Sequence, residues 1–325
     1  MNNNKNMKTI IKIITVFAFV FGFVGCEEYE DYIRDYDYTA VYFGAQNPVR
    51  TLVSRTASDH LEFKIGVSLG GLRENKRGYT AEFMVDPELL NTVEGADKFT
   101  LLDPDWYTIQ NDNNTFVIPA GQFLGDCPVK INKTDFAGAP GSLGKTYALP
   151  LKLLKTNADS IRDGKDYTVI VIKYIDEHSG DYYCKGWEAE WNGTDTVPST
   201  VPGKPNQYYS HVDLIRNKIR TLTTLSLTQF DMAGMGRELG NAAVDHLSVK
   251  LDAGAVTLET KTGCNAVTDR GSTYNAETAT FTLDYIYTKT FEMDNVSYTR
   301  NYLVNEVLIL RQDVERELRF EVWEP

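Results

Sequence analysis

The hydrophobic and polar residues of the first half of the chain alternate in short runs that are typical of strands. Residues 61–69 alternate strictly, with the apolar side chains at the odd positions, so one face of a strand is expected to be buried there. Turn residues 111–114 predict a hairpin between the flanking runs. This pattern predicts an immunoglobulin-like β-sandwich for residues 38–175. Its other strands are expected at residues 39–43, 80–85, 106–109, 115–119, 127–131, 147–153 and 167–174.

The β pattern resumes after a polar break at residues 176–180. An antiparallel meander that closes into a lipocalin-like barrel is the favoured architecture for residues 181–325, with an open sandwich as the alternative. Two helices are expected, at residues 87–93 and 230–244, the second weakened by three glycines. The later strands are predicted at residues 182–191, 256–260, 280–287, 298–310 and 318–323.

Composition narrows the classes of function. The chain has 325 residues and a net charge of −12, with 33 Lys and Arg against 45 Asp and Glu. Nucleic-acid binding is therefore not expected, because phosphate contacts require a basic surface. The 4 His are scattered and the 4 Cys show no paired spacing, so neither a metal site nor a cofactor is predicted.

The amino terminus predicts a secretory signal over residues 1–25. Three lysines precede the apolar run at residues 13–24, and about 12 apolar residues are too few for a span that needs about 20. Residues 23–26 resemble a bacterial lipobox, with Phe23 where Leu is more usual. Cleavage before Cys26 and lipidation of that residue are expected, with an ordinary signal peptide as the alternative.

An acidic tether over residues 26–37 follows the predicted cleavage site. Removal of residues 1–25 takes away three lysines and no acid, so the net charge falls from −12 to −15. An acidic stretch directly after the lipidated cysteine resembles the surface-export signal of Bacteroidetes lipoproteins, whereas a merely solvated tether is the alternative. The predicted location is therefore the outer membrane, lipid-anchored and exposed at the cell surface.

Three cysteines remain after Cys26, and an odd number cannot pair completely within the chain. A bridge between Cys184 and Cys264 is left open. Small buried side chains are the favoured interpretation of all three, Cys127 included.

The first half resembles a β-sandwich domain of unknown function that is widespread in Bacteroidetes surface lipoproteins. The resemblance covers residues 38–174 and is carried by residues 41–43, 105–121, 129–131 and 147–151. The same domain precedes the catalytic domain of some endo-N-acetylglucosaminidases of glycosidase family eighteen. These motifs are strand signatures, so they imply a fold more than an activity.

The second half resembles the companion C-terminal domain of lipoproteins encoded beside glycan-uptake systems. Residues 180–187, and residues 304–310 through Trp323, carry this resemblance. It implies a glycan ligand and an outer-membrane uptake transporter as partner. A glycosidase of family eighteen would have a DxxDxDxE run, which this sequence lacks, so catalysis is not expected.

Other catalytic patterns have stronger structural interpretations. Residues 139–146 match a permissive phosphate-loop pattern, but a strand containing Pro150 follows where a helix would be needed. No GxSxG motif occurs. Glu188 and Glu190 alternate with tryptophans on a predicted strand, and a solvated face is favoured over a glycosidase pair.

Aromatic residues are the best candidates for a binding site, because sugar C–H groups stack on flat rings. Trp187 and Trp191 share one face of a predicted strand, and Tyr208 and Tyr209 lie in the following loop. Trp106, beside two aspartates, is a second candidate. Packing in the core is the alternative for each of these rings.

Two short triplets resemble the Bacteroidetes O-glycosylation site, an Asp followed by Ser or Thr and an apolar residue. They make Ser160 and Thr196 candidate acceptors, and chance is the alternative. Taken together, the sequence predicts a non-catalytic surface lipoprotein that binds glycans for a polysaccharide-utilisation system. A structural or adhesive lipoprotein acting through protein partners is the main alternative, and a glycoside hydrolase is the third.

Overall fold

The computed structural model describes residues 38–111 and 113–325. The predicted signal segment, the lipidation site Cys26 and the rest of the acidic tether (residues 27–37) lie outside these described residues. Within the described part, no helix combines the length and the apolar character needed to cross a membrane.

The first half of the described chain forms two facing β-sheets. Its elements are β1 (Ala40–Tyr42), β2 (Pro48–Ser54), β3 (His60–Gly70), β4 (Tyr79–Val85), α1 (Leu89–Thr92), β5 (Thr100–Leu101), β6 (Tyr107–Ile109), β7 (Thr115–Ile118), β8 (Leu124–Asn132), α2 (Lys133–Gly138), β9 (Tyr147–Thr156), β10 (Ser160–Ile161) and β11 (Tyr167–Asp176). One sheet has the order β10-β1-β3-β8-β6. The other has the order β2-β11-β9-β4-β7, with β5 paired to β9.

The core between the sheets follows the predicted alternation. The odd positions of β3, from Leu61 to Leu69, are buried, and the even positions are not. A buried Leu, Ile or Phe side chain contributes about 1.5–3 kcal/mol. β11 is apolar almost throughout because its second face is also covered, by α1 and by Trp323 from the end of the chain. The sandwich and the central position of residues 167–174 are thus confirmed.

The hairpin predicted around residues 111–114 is wrong. β6 pairs with β8 in one sheet, whereas β7 pairs with β4 in the other. The intervening turn, in which Asn113 and Asn114 have positive φ, therefore carries the chain from one sheet to the other. Alternating residues enter the core in either arrangement, so periodicity does not distinguish them.

The second half forms one curled sheet. Its elements are β12 (Gly180–Trp191), β13 (Thr196–Val197), β14 (Gln207–Tyr209), β15 (Lys218–Thr224), β16 (Gln229–Ala233), β17 (His246–Asp252), β18 (Ala255–Thr260), β19 (Val267–Asp269), β20 (Thr273–Asn275), β21 (Thr280–Met293), β22 (Val296–Leu310), α3 (Val314–Glu317) and β23 (Glu321–Val322). From β12 the pairing runs through β15, β16, β17, β18, β20 and β21 to β22, and β22 pairs back with β12. The predicted antiparallel barrel is confirmed.

The helix predicted at residues 230–244 is wrong. Phe230 and Met232 are buried while their neighbours are partly exposed, which is the two-residue period of strand β16. After β16 the chain turns into the barrel through Gly234 and Gly236, which have φ values of +88° and +52°. We call residues 234–240 the inner loop.

The end of the chain returns to the sandwich. β23 pairs antiparallel with β2, outside the curled sheet to which the sequence analysis assigned residues 318–323. Trp323 packs against Phe99, with ring centroids 5.2 Å apart, and its Nε1–H donates to the carbonyl of Val169 at 2.8 Å. The carboxylate of Glu321 forms ion pairs with Lys145 and Lys173 of the sandwich. The curled sheet is therefore linked to the sandwich at both of its ends.

Candidate functional site

Strand β12 sorts its side chains between the inside and the outside of the barrel. The even-numbered residues from Tyr182 to Glu190 are buried, and the odd-numbered residues between them are more exposed with the exception of Ala189. Trp187 and Trp191 therefore lie on the outer surface. Four residues of extended strand separate them by about 13 Å.

A row of side chains crosses neighbouring strands on this outer surface. Tyr208 of β14 stands opposite Trp187 of β12. On the other side of Trp187, Asn305 of β22 and then Asp284 of β21 continue the row. Neighbouring strands lie about 4.8 Å apart, so the row is about 14 Å long. Tyr208 is 77% exposed, which leaves one aromatic end of the row open to solvent.

Arg270 joins the row to the second tryptophan. Its guanidinium carbon lies 5.1 Å from the centre of the Trp191 ring, and its Nη1 lies 4.0 Å from Oδ1 of Asp284. Among the described residues, this Asp284 oxygen is buried and has no hydrogen-bond partner. An unsatisfied buried acceptor costs about 1–3 kcal/mol. A ligand hydroxyl that displaced the exposed Arg270 side chain would satisfy it.

We call this surface the outer aromatic face, and define it by Tyr208, Trp187, Trp191, Arg270 and Asp284. It offers flat rings beside the guanidinium of Arg270, the carboxylate of Asp284 and the amide of Asn305, which lies between Trp187 and Asp284. Such groups hold sugar rings and their hydroxyls. Its three aromatic members were predicted from the sequence. Its polar members were not, although the alternation of residues 280–287 places Asp284 on the face opposite the buried residues.

Tyr209 and Trp106 lie elsewhere, and the core-packing alternative holds for both. Tyr209 turns inward, and its hydroxyl donates to Oε1 of Glu306 at 2.8 Å. Burial raises the pKa of Tyr209 above its ordinary value, and the Glu306 carboxylate raises it further. Trp106 packs in the sandwich against Tyr147 and Phe136, with centroid distances of 5.4 and 6.3 Å.

The expectation of a solvated face for Glu188 and Glu190 is wrong. Glu188 is 1% exposed and Glu190 is 4% exposed. Glu188 forms an ion pair with Arg237 of the inner loop and accepts a hydrogen bond from the Tyr287 hydroxyl at 2.9 Å. A buried carboxylate is tolerated when a cation and hydrogen bonds replace water. The sequence contains these partners, but they lie far away along the chain.

Glu306 lies at the centre of a second buried network in the barrel. It is fully buried and pairs with Arg220 at 2.6 Å, and Oε2 accepts from the Tyr285 hydroxyl at 3.1 Å. Burial lowers the pKa of Arg220, but the Glu306 carboxylate outweighs that effect and the pKa is raised. Arg220 also donates to the carbonyl of Gly236 at 2.6 Å. The two networks thus hold the inner loop inside the barrel.

This enclosure bears on the glycosidase hypothesis. A glycosidase needs two carboxyl groups that reach the substrate from opposite sides. Glu188 and Glu306 are covered by the inner loop and bonded to arginine and tyrosine side chains. In the described structure they offer no carboxyl group to a substrate from outside.

A cleft with a volume of about 590 Å³ lies between the sandwich and the barrel. Tyr274 lines it and packs against His178, with centroids 5.0 Å apart. Its ionic groups bond to one another: Arg55 pairs with Glu177, and Asp176 with His178. A ligand would have to compete with these pairs, so we rank the cleft after the outer aromatic face as a candidate binding site.

The candidate glycosylation sites differ in exposure. Ser160 is partly exposed and belongs to β10, which pairs with β1. Thr196 is exposed on β13, directly opposite Trp191. A sugar attached to Thr196 would therefore lie beside the outer aromatic face. Cys184 and Cys264, whose pairing the sequence left open, are both free thiols.

Comparisons with known proteins support the fold. A family model described as an N-terminal domain matches residues 36–160, which is less than half of the chain. A solved Bacteroides ovatus protein of unknown function aligns with a TM-score of 0.65 and 18% identity, covering 89% of this chain and 99% of that one. This likeness shows a shared fold. No curated protein matches the chain.

Two further solved structures align more distantly. One is an auxiliary nutrient binding protein from Bacteroides thetaiotaomicron, with a TM-score of 0.35 and 11% identity over 81% of this chain and 90% of that one. The other is Bacteroides thetaiotaomicron EndoBT-3987 with a Man5GlcNAc product, with a TM-score of 0.29 and 17% identity over 38% and 28% of the two chains.

Proposed function

We propose that this protein is a non-catalytic glycan-binding protein and that the outer aromatic face is its binding site. The observation that carries the proposal is the row in which Tyr208 and Trp187 stand side by side and Asn305 and Asp284 continue it. Two aromatic rings are followed there by two planar polar groups on one rigid sheet. A sugar chain lying along the row would stack on the rings and bond to the polar groups.

The position of the rings fits an extended ligand better than a single sugar. Trp187 and Trp191 lie about 13 Å apart along the strand, with Arg270 stacked on the second ring. Two separated stacking points on a rigid strand select a ligand that reaches both. We therefore expect oligosaccharides to bind more tightly than the corresponding monosaccharides.

The proposed location follows from the sequence features of the amino terminus. We propose that Cys26 is lipidated, that the acidic tether directs the protein to the cell surface, and that the protein passes glycans to an outer-membrane uptake transporter. Radiolabelled palmitate incorporation by the wild-type chain and by Cys26→Ala would test the lipid anchor. Equal labelling of both chains would contradict it.

Affinity electrophoresis of the full chain against host and plant glycans tests the binding site. Trp187→Ala and Tyr208→Ala are each expected to weaken retention by about five- to thirtyfold, as for a central aromatic contact worth about 1–2 kcal/mol. Tyr274→Ala in the cleft and Tyr38→Ala, an exposed ring of the sandwich, are the matched controls. Loss of retention in Tyr274→Ala alone would move the site to the cleft.

One observation favours the protein-partner alternative. Next to Tyr208, the side chain of Asn217 bonds to the carbonyls of His211 and Asp213 and fixes a loop on which Val212 is 95% exposed. Ile215, close by in sequence, is 74% exposed, and an exposed patch of several apolar side chains is typical of protein contacts. If no glycan is retained and Val212→Ser abolishes capture of a partner from the outer membrane, this alternative is favoured.

A further inference from the structure

A groove opens between the two sheets of the sandwich, at the edge where the chain ends. Its volume is about 390 Å³. Strands β2 and β11 form one wall, and β3 and β8 form the other. Its lining is mostly apolar, and its members include Phe43, Ile65, Val67, Leu124, Ile170 and Phe320.

Arg50 enters this groove from β2. Arg50 and Leu52 lie on the same side of the strand, and Leu52 belongs to the core between the sheets. The guanidinium is thus turned toward the interior. Burial alone lowers the pKa of Arg50, and among the described residues no carboxylate or hydrogen-bond acceptor pairs with it. A guanidinium carries five N–H donors in a planar fork, and none of those of Arg50 bonds to another described residue.

The charge of the groove is positive although the whole chain carries −12. Its charged lining residues are Arg50, Lys64 and Asp126. Lys64 and Asp126 pair with each other at 3.3 Å. Arg50 is left as the uncompensated charge, which fits one monoanion.

Two large apolar side chains stand at the mouth of the groove. Phe320 is 69% exposed and Leu124 is 65% exposed. The pairing of Val49 with Glu321 places Phe320 next to Arg50 across the antiparallel ladder. On the far wall, a Cβ atom at Gly66 would come within 2.7 Å of the Gly125 carbonyl, so the two strands approach closely there.

We propose that this groove binds a small organic acid, whose carboxylate pairs with Arg50 and whose apolar body covers Phe320 and Leu124. A planar guanidinium bonds a carboxylate through two parallel hydrogen bonds. The apolar walls exclude water from that pair, which strengthens it. This site is separate from the outer aromatic face and does not depend on glycan binding.

β23 covers only Pro48 and Val49 of β2, so the edge of β2 is open from Arg50 onward. An inward charge at such an edge has another use, which is to prevent association of sheet edges. The two explanations make different predictions. A charge that only protects the edge needs no apolar mouth and shows no preference among small ligands. A binding residue discriminates between an acid and its neutral amide.

Isothermal titration of the full chain with 3-phenylpropionate tests the site. The acid is expected to bind at least tenfold more tightly than 3-phenylpropionamide, and at least tenfold more tightly than galacturonate, which has no apolar body. Arg50→Met should reduce binding of the acid at least tenfold without lowering the melting temperature, because it removes a desolvated charge. Arg216→Met, an exposed arginine of the barrel, should bind like the wild type.

Several results would overturn the proposal. They are absence of binding, equal binding of the acid and the amide, or unchanged binding by Arg50→Met. Phe320→Ala provides a second check that leaves the sandwich core intact, and it should weaken binding of 3-phenylpropionate severalfold. Galacturonate binding as tightly as phenylpropionate would contradict the role of the apolar mouth.

Discussion

The buried pair of Arg220 and Glu306 gives the sharpest prediction about what holds the barrel together. Both side chains are 0% exposed and lie 2.6 Å apart. Replacing Arg220 by Met leaves Glu306 inside the barrel with the hydroxyls of Tyr209 and Tyr285 as its hydrogen-bond donors. It also leaves the carbonyl of Gly236 without this donor.

The expected cost of Arg220→Met is about 3–5 kcal/mol, the usual range for removing one partner of a buried ion pair. Glu306→Gln should cost less, about 1.5–3 kcal/mol, because Arg220 keeps its carbonyl acceptors. The double variant should cost less than the sum of the two single changes by at least about 1 kcal/mol, since it leaves no unpaired charge.

Urea unfolding followed by circular dichroism gives the free energies, and hydrogen exchange of β15 and β22 assigns the loss to the barrel. An Arg220→Met variant within about 1 kcal/mol of the wild type at pH 8 would refute this account of the pair.

Three further predictions concern other parts of the molecule. Gly236→Ala should destabilise the barrel by about 1–3 kcal/mol in thermal unfolding, because the new Cβ would strike the buried Glu188 carboxylate and the residue has positive φ. Gly254→Ala is the control, since it also has positive φ but has open space around the new Cβ, and it should cost less. Two lysine hydrogen bonds lower the pKa of Glu321, so this contribution is fully present above about pH 4.5 and is lost as the pH falls through the lowered pKa. Protection of the last amides, measured relative to their intrinsic exchange rate at each pH, should fall on acidification by less in Glu321→Gln than in the wild type. Burial raises the pKa of Cys127 to about 11, so mass spectrometry after treatment with a thiol reagent at pH 8 should find Cys264 modified first, and modification of Cys127 first would contradict this.

The sequence was sufficient for the sheets because burial on one face imposes a two-residue period. The strict alternation of residues 61–69 and the nearly continuous apolar run at residues 167–174 both appear in the structure as predicted. The barrel could be predicted in the same way, from its long alternating runs, although residues 230–244 were wrongly expected to form a helix. Each of these features is visible as a local pattern within one stretch of the sequence.

The errors arose where the decisive contact lies far away along the chain. Glu188 has the local pattern of a solvated position, but Arg237 and Tyr287 make it a buried one. β6 and β7 have the local pattern of a hairpin, but β8 and β4 take them into different sheets. Tyr209 turned inward for the same reason, since Glu306 lies nearly a hundred residues later.

The return of the chain end to the sandwich has a consequence for the order of folding. β23 adds to β2, and Trp323 completes a core with Phe99 and Val169, more than 150 residues earlier. During synthesis the sandwich emerges first, yet its last strand and the buried Trp323 arrive only after the entire barrel has been made. Loop closure over such a distance is slow. The sandwich edge at β2 thus stays open until residues 321 and 322 have been made, and a chain truncated before residue 321 should expose that edge to aggregation.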